Sequence, residues 1–139
     1  MRYWDPSALV SLFVDEKETS RRQALLREDR QVVTWWGSSV ECASALHRLH
    51  RQGDLDAAGL VQAGERFETL ARTWLEIEAS DRLRRRALRL LRVHPLRAAD
   101  ALQLAAALVA ADEDPRGLDL VSSDARLSEA AAREGFTVR

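Results

Sequence analysis

The chain is short of several features that would each have fixed its class at once. It has one cysteine, Cys42, among 139 residues, so no intrachain disulfide can form, and a reducing compartment suits it. No apolar run approaches the roughly 18 residues that a membrane-spanning helix needs. The opening MRYWDPSALVSLFVDE is broken by Asp5, Pro6 and two serines and has no plausible cleavage site, which argues against a signal peptide. The expectation is a cytoplasmic protein with no membrane partner. Net charge is nearly absent as well, at -1, so a case for a nucleic-acid partner must rest on local patches. Repeats, low-complexity tracts and Pro/Gly-rich linkers are missing, so residues 1–139 read as one domain, long enough for its own core. Lysine is the last scarcity. Lys17 stands alone against 20 arginines, a bias that genome base composition explains, although arginine keeps a planar fork suited to phosphate.

What remains is an ordinary globular composition, 46% hydrophobic and 31% charged. Short β-branched or aromatic runs at 2–5, 31–36, 74–77, 118–122 and 136–138 predict strands. Helices are expected over 6–14, 18–29, 39–52, 55–72, 80–92, 97–111 and 125–134. Pro6 at a helix start and Gly37, Gly53 and Gly135 at stops support these bounds. Strands alternating with helices imply crossover connections and a mostly parallel sheet, an α/β fold. Ligands of such sheets gather at the carboxyl ends of strands, near a switch in strand order.

Four acids stand at helix starts, where strands end. Asp5 and Asp124 each follow a strand and open a helix, and each alone is explained as an N-cap. Glu41 closes a Ser38-x-x-Glu41 capping box, an equally local explanation. Asp100 differs, because residues 98–111 (AADALQLAAALVAA) carry only Asp100 and Gln103 as polar groups. A helix apolar nearly all round is a buried helix, in which a carboxylate is costly unless paired or bound to a cation. The local alternative is a pair with Arg97, three residues earlier. Clustered carboxylates repel one another unless a cation joins them, and oxygen-only ligands select Mg²⁺ or Mn²⁺. No rival metal set is visible: His47, His50 and His94 lack partners and Cys42 is alone.

WDPSALVSLF, SSVECASAL, LRAADALQLAAAL and LVSSDARLSEAA, in this order and spacing, resemble the PIN domain, and within it ribonuclease toxins of the VapC type. The resemblance spans essentially the whole chain. It implies a PIN-like three-layer α/β/α sandwich round a mostly parallel sheet, and RNA phosphodiester hydrolysis with Mg²⁺ (or Mn²⁺). It further implies Asp5, Glu41, Asp100 and Asp124 as catalytic and metal-holding acids, with Ser7 and Ser123 as small hydroxyl positions beside them. A cognate antitoxin that blocks the site and a homodimer are the partners it implies. Alternatives are a PIN-fold nuclease of RNA processing and a non-catalytic RNA-binding module. A phospho-receiver domain also gathers acids at strand ends, but it requires a late lysine that this chain lacks.

Arg97, beside Asp100 in sequence, is the expected substrate contact. Residues 80–97 hold seven arginines against Asp81, a local charge of about +6 that is either a grip for RNA or a solvated face. Trp4, Trp35, Trp36 and Trp74 are expected in the core or a dimer contact rather than stacked on bases.

Overall fold

A computed structural model describes all residues 1–139. Four short strands form one all-parallel sheet: β1 (Arg2–Trp4), β2 (Val32–Trp35), β3 (Leu75–Ile77) and β4 (Asp119–Val121). Their spatial order is β3-β2-β1-β4. The expected last strand at 136–138 is reduced to one parallel bridge, Leu120 to Val138, on the outer side of β4.

Both faces of the sheet are apolar, so consecutive strand residues serve opposite layers. Tyr3, Val33 and Leu120 pack under α5 (Asp81–Val93), α6 (Ala98–Ala110) and α7 (Ala125–Arg133). Trp4, Val32 and Val121 face α1 (Pro6–Phe13), α3 (Ser38–Arg51) and α4 (Ala57–Ala71), with Leu25 and Leu26 of α2 (Thr19–Glu28) at their margin. Two cores on one sheet make the expected three-layer α/β/α sandwich. No helix is long and apolar enough to cross a membrane.

Four of the seven helices begin where a side chain caps them. Asp5, Asp56, Ser80 and Asp124 each accept a hydrogen bond from a backbone N–H in the first turn. α3 starts differently, after Gly37. A Cβ at Gly37 would collide with the indole of Trp35, so the tight β2–α3 turn needs glycine. α7 ends at Gly135, whose φ of 102° suits only glycine comfortably.

The chain runs outward from β1 to β2 to β3, then returns across the sheet to β4 on the other side of β1. Strand order therefore reverses between β1 and β4, and the amide of Asp5 joins them by donating to the carbonyl of Val121 at 3.1 Å. The switch in strand order lies where two of the four acids emerge.

Three of the tryptophans, Trp4, Trp35 and Trp74, are buried as expected, while Trp36 is 58% exposed. Phe67 packs edge-on against Phe13 and tilted against Trp74, fixing α4 to the sheet. The arginines of α5 are mostly engaged: Arg82 pairs with Asp112 and Glu113, Arg86 with Glu113, Arg89 with Glu134 and Arg84 with Asp81. Asp81 is already counted in the strip's charge of about +6, so Asp112, Glu113 and Glu134, from the ends of α6 and α7, offset about half of it, and Arg85, Arg92 and Arg97 form no ion pair.

Candidate active site

A cavity of about 350 Å³ opens at the carboxyl ends of β1 and β4. Asp5, Glu41, Asp100 and Asp124 all line it, together with Ser7, Glu16, Arg48 and Gln103. Four elements deliver the acids: the start of α1, the first turn of α3, the first turn of α6 and the start of α7. None of the five cavity carboxylates belongs to an ion pair.

Asp5 is the buried one, 5% exposed. Its Oδ1 accepts from the hydroxyl of Ser7 at 2.8 Å and its Oδ2 from the Ser7 amide at 3.2 Å. Burial still dominates, and pushes the carboxyl up to about 6 against the relief those hydrogen bonds give. The costly buried carboxylate is thus Asp5 and not, as the apolar sequence of residues 98–111 predicts, Asp100. Asp100 is only half-buried, because it lies in the first turn of α6, before the helix enters the core. Its Oδ2 accepts from the backbone amide of Arg97 at 3.1 Å, and no ion pair with the Arg97 guanidinium forms.

Glu41 also departs from its local explanation. The capping box with Ser38 is not built, since Gly37 is the N-cap and the Ser38 hydroxyl is engaged by Thr34 and Gln103. Glu41 Oε1 instead accepts from the amide of Gln103 at 2.8 Å. Its carboxyl is raised by burial and by the neighbouring charge of Asp100, and lowered by the Gln103 hydrogen bond, with burial the largest influence. Asp124 keeps its cap: Oδ1 accepts from the amide of Leu127 at 2.7 Å. Cap and cavity roles thus coexist at Asp124 and Asp100, because each cap uses one carboxylate oxygen.

Of the other expected residues, Ser7 lines the cavity and Ser123 stands behind it. The Ser123 amide donates to Ser7 Oγ at 2.8 Å, so the loops after β1 and β4 are sewn together one hydrogen bond from Asp5. Arg97 is exposed and outside the cavity wall.

Several residues escaped the sequence reading. Arg22, 2% exposed, donates to the carbonyls of Ser122 and Arg139 and to Ser123 Oγ, at 2.8–2.9 Å, and so clamps the loop after β4. No pattern in TSRRQALLRE marks it. Arg48 and Gln103 did carry a signal. Arg48 lies seven residues after Glu41, on the same helical face, and Gln103 three residues after Asp100. Glu16, held by the Ser11 hydroxyl at 2.9 Å, completes the rim. His47 and His50 are exposed.

No group of three or more His, Cys, Asp or Glu side chains is placed to hold a metal ion unaided. The donor set nevertheless fits one class of ion. It offers only oxygens, with five carboxylates and no paired cation. Mg²⁺ retains several waters and takes one or two carboxylates together with substrate phosphates, so it needs no closed protein shell.

No family model matches the chain. It is 31% identical over 136 residues to Ribonuclease VapC45 of Mycobacterium tuberculosis (strain CDC 1551) and to Ribonuclease VapC49 of the same species (strain H37Rv). Each alignment covers 98% of this chain and 92% of the relative. In three dimensions it is similar to the crystal structure of PAE2754 from Pyrobaculum aerophilum, with a TM-score of 0.68 and 19% identity, over 99% of this chain and 83% of that one. This second likeness is one of fold.

Proposed function

The chain belongs to the VapC ribonuclease family, and on that premise we propose that it is a Mg²⁺- or Mn²⁺-dependent endoribonuclease, the toxin of a type II toxin–antitoxin pair. The observation that carries the reading is the cavity at the β1/β4 switch, where five carboxylates gather, none of them in an ion pair and with Arg48 the single cation on the wall. Such a cluster repels itself, and a structure that keeps Asp5 buried within it has a use for the charge.

Asp5, Glu41, Asp100 and Asp124 are the proposed catalytic and ion-holding acids. When bound, a divalent ion supplies Lewis acidity to the phosphate and lowers the pKa of water. Asp5, fixed by both hydrogen bonds from Ser7, offers its carboxylate in one orientation. Asp100 and Asp124 each spend one oxygen on a backbone amide and keep the other for the cavity. Arg48 is the one cation on the cavity wall and the proposed contact for a substrate phosphate. Ser7 and Ser123 hold the two loops in register, and Arg97 would reach only the flanking RNA. A cognate antitoxin and a second copy of the chain are its proposed protein partners.

Purified protein should cleave RNA with Mg²⁺ or Mn²⁺ and stop on addition of chelator. Metal-independent cleavage would sink the mechanism. Induction of the chain alone in cells should arrest growth, and co-expression of its antitoxin should relieve the arrest. Active protein without any growth effect would favour an RNA-processing nuclease instead.

A further inference from the structure

Gln103 is 2% exposed in a helix whose other buried residues are all alanine or leucine, and every polar atom it has is engaged. Its Nε2 donates to Glu41 Oε1 at 2.8 Å and to Ser38 Oγ at 3.0 Å, and its Oε1 lies 2.7 Å from the Tyr3 hydroxyl. Ser38 Oγ is 2.7 Å from Thr34 Oγ1, which is itself 2.7 Å from the Trp4 carbonyl.

The direction of every proton in this network follows from its ends. A carboxylate and a backbone carbonyl only accept. The group facing Glu41 must therefore be the amide nitrogen, which turns the amide oxygen to Tyr3 and makes that hydroxyl the donor. At the other end Thr34 must donate to Trp4, so Ser38 donates to Thr34 and is free to accept from Gln103. No amide flip or hydroxyl rotation satisfies the same groups. The network ties residues at the ends of β1 and β2 to α3 through one side chain of α6.

We infer that Gln103 is a positioning residue for Glu41, pinning one carboxylate oxygen so that the other addresses the cavity. Loss of the amide leaves Glu41 free to rotate, and nothing else in the structure donates to it. Tyr3, by holding the amide oxygen, is the residue that keeps the donor side turned toward Glu41. Its action in catalysis rests on the proposed nuclease function, whereas the placement itself does not.

The test is a double-mutant cycle with Gln103→Met, close in shape but without a donor, and Glu41→Gln. Mn²⁺ affinity by calorimetry and RNA cleavage are read for both single variants and the double variant. Gln103→Met should lower Mn²⁺ affinity and kcat about tenfold, the worth of one hydrogen bond to a charged group, with KM for RNA unchanged. In the Glu41→Gln background it should cost little more. Additive losses, or a Gln103→Met protein that behaves as wild type, would overturn the inference.

A spectroscopic readout separates this from failure of the nuclease reading and from a variant that does not fold. The Gln103 side-chain amide protons of the wild-type protein should be shifted downfield and slow to exchange. Glu41→Gln should move them, and Tyr3→Phe should speed their exchange. Amide resonances indifferent to Glu41→Gln would refute the placement whether or not the protein cuts RNA. Wild-type protein that neither binds Mn²⁺ nor cleaves, but shows those amide shifts, would refute the nuclease reading alone.

Discussion

Two regions of this molecule concentrate charge, and they use it in opposite ways. On α5, Arg82, Arg84, Arg86 and Arg89 lie on the surface, each opposite an acid, and water screens what remains. At the β1/β4 switch, five carboxylates face one cavity with no paired cation, and one of them is almost out of water. The denser run of charge in the sequence is thus the quieter one in the fold. Charge that is buried and unanswered, rather than charge that is abundant, marks the site.

The comparison breaks most sharply if Asp5 or Asp100 is dispensable. Asp5→Asn and Asp100→Asn should each lower RNA cleavage by about 10²–10³-fold, the loss seen when a group acting on the reacting centre is removed, while the far-ultraviolet circular dichroism stays native. Either variant retaining full cleavage would dissolve the distinction between the two regions.

The next largest effect concerns stability. Asp5 titrates near 6 in the folded protein against 3.8 in the unfolded chain, so between these values the folded state holds the extra proton. In metal-free protein Asp5 alone should therefore contribute a loss of stability of about 3 kcal/mol as pH rises from about 4 to 6. Urea unfolding of the wild type against Asp5→Asn reads this directly. The variant should differ from the wild type by that contribution, and be the more stable protein at pH 7, even though it no longer cuts. Equal slopes would mean that Asp5 carries no unanswered charge.

Arg48→Ala should raise KM for RNA about tenfold and reduce its salt dependence, with kcat less affected, as for one lost phosphate contact. Arg48→Lys should recover only part, because the forked contact is lost. The smallest effect is expected on α5. Arg82→Ala and Arg86→Ala should each barely move the thermal unfolding midpoint and leave cleavage within about twofold. A large loss of RNA affinity there would return α5 to the role of a grip.

Much of this architecture was legible in the chain itself. The strand at 31–36 and the helix after Asp124 are set by local chemistry, a β-branched run in one case and an N-cap in the other, and both appear near the expected bounds. The final strand is cut to a single bridge: the backbones of Thr137 and Arg139 bond to Leu120 and Ser122, but Val138 alone pairs in register with β4. At the site, the gathering of four acids followed from their repeated place at helix starts. Their environments did not. Asp100 looked buried because its helix is apolar, but burial begins a residue later, at Ala101. Glu41 looked like half of a capping box because Ser38 precedes it by three, but the Ser38 hydroxyl is claimed by Thr34 and Gln103, residues distant in sequence or on another element. Arg22 gave no sign at all, since its partners lie in the loop after β4 and at Arg139.

The return of the chain from β3 to β4 has a consequence in time as well as in space. Asp5 and Asp124 meet only when β1 and β4 pair, so a ribosome must deliver the chain through Asp124 before the cavity exists. At synthesis rates of about 5–20 residues per second, that leaves an interval of about one to five seconds in which the nascent chain carries three of its four acids and no assembled site. Any fragment released early, by a nonsense codon or by proteolysis, is unable to build the cavity. A cavity wired from two strands so distant in sequence cannot be assembled piecemeal.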